Sequence, residues 1–356
     1  MPGGFAGKLR GLRMRQIAEE DLRRAATSLV RTGLELVPGE RFVAVGDAES
    51  QPMLAALEAA AREAGAEVSA LRLDQLRSYS TNHSGERPHK VLPDAVRRAM
   101  LSAQASAFVA SAPHAEASMR EQLLHVVSAC NGRHAHMAAI TPIAFATGLA
   151  LDFTKLREAG RALERRLEVA REITAESAAG TRLTMKTSTS RRWLGRFGSV
   201  RPGETVVLPA GSIVTCPDTI SGTFVANASV GEFFGAREGL LAEPVTFELV
   251  DGRVMNVVAK GAPHLVRDIE NLLHVAPNSD RVGLVVFGVN TGIGEATGDV
   301  TVDQHRPGLH LVFGDPMGKV TGATWSARTS FAACQIGGAV RVDGTLVADE
   351  GKLLPG

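Results

Sequence analysis

Two histidines stand inside one C-terminal stretch, Gly298 to Gly344, whose residues otherwise alternate apolar and polar as strands do. His305 and His310 supply imidazoles that suit either metal ligation or general-base chemistry. Their surroundings limit that chemistry. No Asp or Glu lies between Asp315 and Asp343, and no histidine follows His310. A dinuclear metal centre needs carboxylates to balance charge and bridge the ions, and two histidines without a third ligand make only a weak site. Asp303 and Asp315 could add an oxygen or two and still leave a bridging set incomplete. Ser330 or Cys334 could pair with His310 across adjacent strands as nucleophile and base, but no G-x-S-x-G elbow accompanies them. The run TGIGEATGD, Thr291 to Asp299, contains G-x-G without a following Lys-Ser/Thr, which favours a tight turn over a phosphate cradle.

Other candidate groups are weaker. His134 and His136, two apart, share a face if they lie on a strand. No carboxylate or third histidine is near them in sequence, so a structural role is expected. The polar loop Ser78 to His89 carries two histidines and the only tyrosine, Tyr79, and reads as a surface loop. Trp325 beside Arg328 suits core or interface packing better than ligand stacking. Cys130, Cys216 and Cys334 are widely spaced with no C-x-x-C, which points to reduced thiols in the cytoplasm.

The elements that must position these groups follow from the periodicity. Residues 15–36 carry apolar positions at helical spacing. A strand is expected at Arg41 to Val45, an Ala-rich helix ending at Gly65, and a second strand at Val68 to Leu73. Strand–helix–strand in about 30 residues predicts a parallel βαβ unit. The first strand runs into Gly46-Asp47 rather than G-x-G-x-x-G, so the topology is Rossmann-like without a dinucleotide signal. A helix from Pro93 to Leu101, a third strand at Ser106 to Ser111, a helix from Ala115 to Cys130 and a long charged helix over 153–175 complete a first domain. From Gly180 short alternating runs between Gly and Pro turns predict a β-rich domain, interrupted by a helix from Ala262 to Leu273. The expected fold class is therefore α/β, a Rossmann-like parallel-sheet domain over 1–179 followed by a β-rich (α+β) domain over 180–356.

Composition bounds the function. Across 356 residues, 44% are apolar, 22% are charged and the formal charge is +1, which fits a globular chain and argues against a nucleic-acid partner. The Arg10–Arg15 and Arg161–Arg166 clusters have acids among or near them (Glu19, Glu20, Glu164, Glu168) and read as solvated helix faces. No uninterrupted apolar run of about 18 residues predicts a membrane span, and no secretory signal follows the basic start.

Six strings, in order, resemble the aminopeptidase T metallopeptidases and their relatives, the 2,5-dihydroxypyridine dioxygenases. They are RHAHMAAITPIAFATGLALDF, GTRLTM, RPGETVVLPAGSIVTCP, VFGVNTGI, GLHLVFG and AVRVDGTLV. The resemblance implies an aminopeptidase-T-like fold, a homodimer and a metal centre in the second domain. The peptidases' ligand positions fall on Ser212, Leu284, His305, His310, Ser330 and Ala332. The iron ligands of the dioxygenases fall on Ser330, Ala332 and a position near Val286. Of these only His305 and His310 can ligate a metal well, so no metal, no cofactor and no catalytic residue is expected.

The sequence therefore reads as a metal-free pseudoenzyme that keeps a peptide-sized cleft. Ser212, His305, His310, Ser330 and Arg328 are the expected peptide-binding residues, with Trp325 and Phe331 at a dimer interface. Such a protein would present a peptide to a partner enzyme, in a setting such as maturation of a ribosomally made peptide natural product. The alternative is a metal-dependent aminopeptidase or ring-cleaving dioxygenase with a rearranged ligand set.

Overall fold

The computed structural model describes residues 17–76, 91–111, 117–198 and 200–354. The Arg10–Arg15 cluster, the Ser78–His89 loop and the first residues of the helix expected from Ala115 lie outside them.

A parallel sheet forms first along the chain. Arg41–Gly46 pairs with Glu67–Arg72 on one side and Ala105–Ala110 on the other, and Arg133–Ala138 follows, all parallel. Helix Gln51–Glu63 makes the crossover of the expected βαβ unit. It stops before Gly65, whose φ of +82° turns the chain at little steric cost. The strands are nearly continuous apolar runs because both faces are covered: Phe42, Ala44, Ala107 and Val109 enter the main core, while Val43, Val45 and Phe108 enter a second cluster. The helix expected over 15–36 is observed from Glu19 to Ser28, with a wider π turn over Leu29–Gly33.

Two antiparallel sheets make up most of the rest. One has eight strands among the described residues. The other has six, in the order Ser229–Val230, Ser330–Cys334, Gly308–Gly314, Val282–Gly288, Ser212–Thr215, Leu194–Arg196. The observed α/β architecture thus matches the expected fold class. The helix expected over 153–175 ends earlier, at Glu168, and Glu172–Glu176 is a strand paired with Arg182–Lys186 and Ala339–Val342. Its alternating burial explains why: Ile173 and Ala175 face the core while the two glutamates stay in solvent, a period of two rather than 3.6. Thr205–Val207 crosses back to become the edge strand of the parallel sheet, beside Arg133–Ala138. Sheet membership therefore runs across residue 180 in both directions.

Helix Phe153–Glu168 is started by Asp152, whose carboxylate accepts from the Thr154 and Lys155 amides. It lies close against Leu194–Arg196 because Gly160 and Gly195 leave room for the Phe197 ring, which a Cβ at either position would strike. Glu164 Oε1 accepts from the Gly195 amide at 2.7 Å and fixes the two elements together. No helix among the described residues is long and apolar enough to cross a membrane.

Candidate functional site

The six-stranded sheet has two unlike faces. Ile213, Val285, Phe287, Leu309, Leu311, Phe313, Phe331 and Ala333 point into the main core. Val214, Leu284, Val286, Val312, Ala332 and Cys334 form a separate apolar cluster on the other face. The alternation of strands places Ser212, His310 and Ser330 on that second face as well. The strand positions that the resemblance assigns to metal ligands, all but His305, thus share one face, which is packed largely with aliphatic side chains.

His310 is fully engaged. Its Nε2 donates to the Arg306 carbonyl at 2.9 Å, and its Nδ1 accepts from the Gln335 amide at 3.3 Å. It is 1% exposed, and burial pushes its pKa down to about 4, so the ring is neutral at physiological pH. His305 sits at the turn before the same strand. Gly288 lets that turn press onto the sheet, since a Cβ there would collide with the Arg306 carbonyl. His305 is 6% exposed and its Nδ1 has no hydrogen-bond partner. Burial first, then the positive charge of Arg196 and the neighbouring His310, push its pKa down to about 3. Ser212 is buried, opposite Gly288 on one neighbouring strand and Arg196 on the other.

Ser330 and Arg328 are not brought to this place. Ser330 is exposed and pairs with Gly314, four residues along the strand from His310, roughly 13 Å at the usual rise. Arg328 is exposed in the segment just before it. A Ser330–His310 pair is thereby excluded. Cys334 lies beside His310 on the neighbouring strand, but burial pushes its thiol well above the ordinary value, away from the reactive thiolate. Asp303 is no spare ligand either. It is buried and accepts from the Ser229 hydroxyl, the Thr297 amide and hydroxyl, and the Gly298 amide, at 2.7–3.0 Å. These bonds pin the turn that the glycine-rich run was expected to make.

Of the expected binding residues, His305 alone lines a cavity of about 750 Å³. That volume is within the range of small-ligand and peptide sites. The cavity opens outside the carboxyl end of strand Arg133–Ala138, lined there by Ala138 to Ile140. Two sheet edges border it: Gly195 and Arg196 of the six-stranded sheet, and Thr205 to Val207 of the parallel sheet. Five arginines line it, Arg120, Arg157, Arg161, Arg196 and Arg201, against Glu204 and Glu232. Burial lowers the pKa of Arg196, whose Nη2 contacts the Met317 sulfur at 3.1 Å.

The family model for 2,5-dihydroxypyridine 5,6-dioxygenase (NicX) matches residues 28–269. The chain belongs to that family. The solved 2,5-dihydroxypyridine dioxygenase of Pseudomonas putida KT2440 superposes with a TM-score of 0.61 at 16% identity, covering 96% of this chain and 99% of its own. Wild-type AmpT from Thermus thermophilus superposes at 0.60 and 15% identity, covering 95% and 100%. These likenesses establish the shared fold. No match is found among curated proteins.

The dioxygenase-family match ends at residue 269, before the strands Val282–Gly288, Gly308–Gly314 and Ser330–Cys334. The iron that the family resemblance implies does not fit the donors here. The resemblance puts its ligands at Ser330, Ala332 and a position near Val286, and among the described residues no three His, Cys, Asp or Glu side chains come together as a metal site. His134 and His136 do share a face, but both are buried. The Ser106 hydroxyl bonds His134 Nδ1 at 2.8 Å, His134 Nε2 faces His136 Nδ1 at 3.2 Å, and His136 stacks on Phe108. Trp325 lies under Arg281, 4.0 Å from guanidinium to ring centre, and Phe331 packs on Phe313 in the core. Phe331 is thus buried within its own chain.

Sequence reasoning missed the cavity arginines and the edge strand. The only signal for the former was the Arg161–Arg166 cluster, which looked like an ordinary solvated face.

Proposed function

We propose that this family member is a metal-independent peptide-binding protein, which holds an extended peptide along strand Thr205–Val207 and presents it to a partner enzyme. The observation that carries the reading is the edge strand. It has one neighbour among the described residues, Arg133–Ala138, and its other side borders the cavity. Leu208 donates its amide to His136 O, so the alternation of a parallel ladder turns the Val207 N–H and C=O away from the sheet. Free main-chain donors and acceptors beside a cleft are what strand addition of a peptide uses. Within this reading His305 keeps its role in the cleft. Ser212 and His310 are buried, and neither they nor Ser330 and Arg328 are among the residues that line the cavity.

A specific observation favours a second reading: the family match itself suggests ring opening of a dihydroxypyridine, and the AmpT likeness suggests peptide hydrolysis. One preparation separates the two. The protein is dialysed against chelator and titrated calorimetrically with a ten-residue extended peptide, then reloaded with iron(II), zinc or cobalt and assayed on 2,5-dihydroxypyridine and on peptides. Binding without metal and no turnover is expected. Metal-dependent turnover of either substrate would falsify the pseudoenzyme reading.

We also propose a homodimer. Trp325 and Phe331 do not support it, whereas edge strand Arg253–Val258, with Met255 65% exposed and Val258 39% exposed, offers a self-pairing apolar edge. Light scattering at micromolar concentration should give twice the 37.5 kDa chain mass, and the monomer mass alone would refute it.

A further inference from the structure

Strong positive charge is concentrated in the cleft of a chain whose net charge is only +1. The five lining arginines exceed the two lining glutamates by three. They come from separate elements: Arg120 from helix Ala117–Cys130, Arg157 and Arg161 from helix Phe153–Glu168, Arg196 from the edge strand Leu194–Arg196, and Arg201 from the turn that follows. Arg157 pairs with Glu35 at 3.2 Å. Arg120, Arg161 and Arg201 are exposed and have no carboxylate partner among the described residues. Arg157 and Arg161 stand one helical turn apart, a like-charge spacing that mildly opposes the helix. Glu204 is already used, its Oε2 accepting from the Arg201 amide at 3.4 Å. Like charges converging on a concave surface repel one another and focus a positive potential there, which an anionic occupant relieves.

A second observation points to an occupant. His305 lines the cavity and is 94% buried; its Nδ1 is closed to solvent and has no partner, a costly state that a small shift of the ring toward an occupant would relieve. Next to Arg196 its ring stays neutral, so it can donate or accept one hydrogen bond without adding charge.

We propose that the cleft is specific for acidic peptides: extended segments whose Asp or Glu carboxylates meet the guanidinium groups of Arg161, Arg201, Arg120 and Arg196 while their backbone pairs with Thr205–Val207. This rests on the peptide-binding reading above and names its ligand class. Guanidinium forks match carboxylates in a bidentate geometry that ammonium groups do not. On a strand, alternate side chains point the same way at a repeat of about 6.6 Å, so an alternating acidic sequence aims every carboxylate at the arginine-lined side.

The test uses fluorescein-labelled ten-residue peptides of alternating Glu and Val, Gln and Val, or Lys and Val, with inorganic tripolyphosphate as a non-peptide anion, all followed by polarisation against the full chain. The Glu peptide should bind at least tenfold more tightly than the Gln peptide, and the Lys peptide more weakly than either. Arg161→Ala and Arg201→Ala should each weaken the Glu peptide three- to tenfold and leave the Gln peptide within twofold. Both residues are exposed, so unchanged melting temperatures will show the fold intact. Equal binding of Glu and Gln peptides overturns the acidic specificity while leaving the peptide reading in place. Binding of neither peptide up to millimolar concentration overturns both. Tripolyphosphate that binds and is not displaced by the Glu peptide also overturns the proposal, by making the cleft a site for another anion.

Discussion

His310 shows how a residue type that could do chemistry becomes a structural one. Both ring nitrogens are spent on backbone groups, the Arg306 carbonyl and the Gln335 amide, in a site closed to solvent. A metal ligand needs one of those nitrogens free, and a general base needs a lone pair facing substrate. Replacing His310 by Ala leaves two buried backbone groups without partners, at about 1–3 kcal/mol each. His310→Ala should therefore lower unfolding free energy by about 3 kcal/mol in denaturant titrations, with peptide affinity in the folded protein changed less than threefold. An unchanged denaturation midpoint would show that the two hydrogen bonds carry no weight. His305 is the contrasting case. It is as neutral as His310 but has an atom unpaired in the cavity wall, so its substitution should be felt by the ligand more than by the fold.

At the scale of elements the decisive piece is the short strand Thr205–Val207. Its inner side is committed to Arg133–Ala138, and the Val207 amide faces away from that neighbour. Val207→Pro removes this outward donor without removing a ladder hydrogen bond, and an edge strand tolerates proline. The variant should keep its melting temperature within a few degrees and lose about tenfold in peptide affinity. Full affinity by calorimetry would mean that the peptide does not add to this edge. The strand also marks how far the sequence could be read. The βαβ unit was legible because apolar alternation, an Ala-rich helical run and Gly65 are local signals, and residues 41 to 72 fold as those signals direct. The helix Pro263–His274 was legible for the same reason. Thr205–Val207 gives three residues of β-propensity after a turn, and nothing local says that they rejoin a sheet begun with Arg41–Gly46, far earlier in the chain. Glu172–Glu176 was read as helix because its charged neighbours continue the preceding pattern, and its pairing with Arg182–Lys186 and Ala339–Val342 overrode that. The site divides in the same way. His305 and His310 could be singled out by type, whereas Arg120, Arg161, Arg196 and Arg201 acquire meaning only when topology converges them.

The whole molecule carries one further consequence of burying imidazoles. His134, His305 and His310 are each held below their ordinary pKa, chiefly by desolvation: His305 at about 3, His310 at about 4, and His134 well below 6.5. Nearby positive charge and the neighbouring histidine reinforce this for His305, through Arg196 and His310, as does His136 for His134. In the unfolded chain each titrates near 6.5. The sign follows from proton counting. Below pH 6.5 the unfolded chain binds protons that the folded one refuses, so stability is full above that value and falls as pH drops toward the folded-state values. His305 and His310 each lose about 2 kcal/mol by pH 5, about 4 kcal/mol together, a large share of the roughly 5–15 kcal/mol that holds a typical domain, and His134 acts in the same direction. Asp303 works in the opposite sense, since burial raises its pKa and its protonation in the folded state favours folding in acid. The histidine contribution changes over the interval from pH 7.5 to 5, with a sign opposite to that of Asp303. Urea titrations across that interval should show unfolding free energy dropping by several kcal/mol, and His305→Asn should remove about 2 kcal/mol of the drop. A flat profile would mean that the three rings accept protons without leaving the fold, and that the sheet faces holding them open to water more readily than their burial implies.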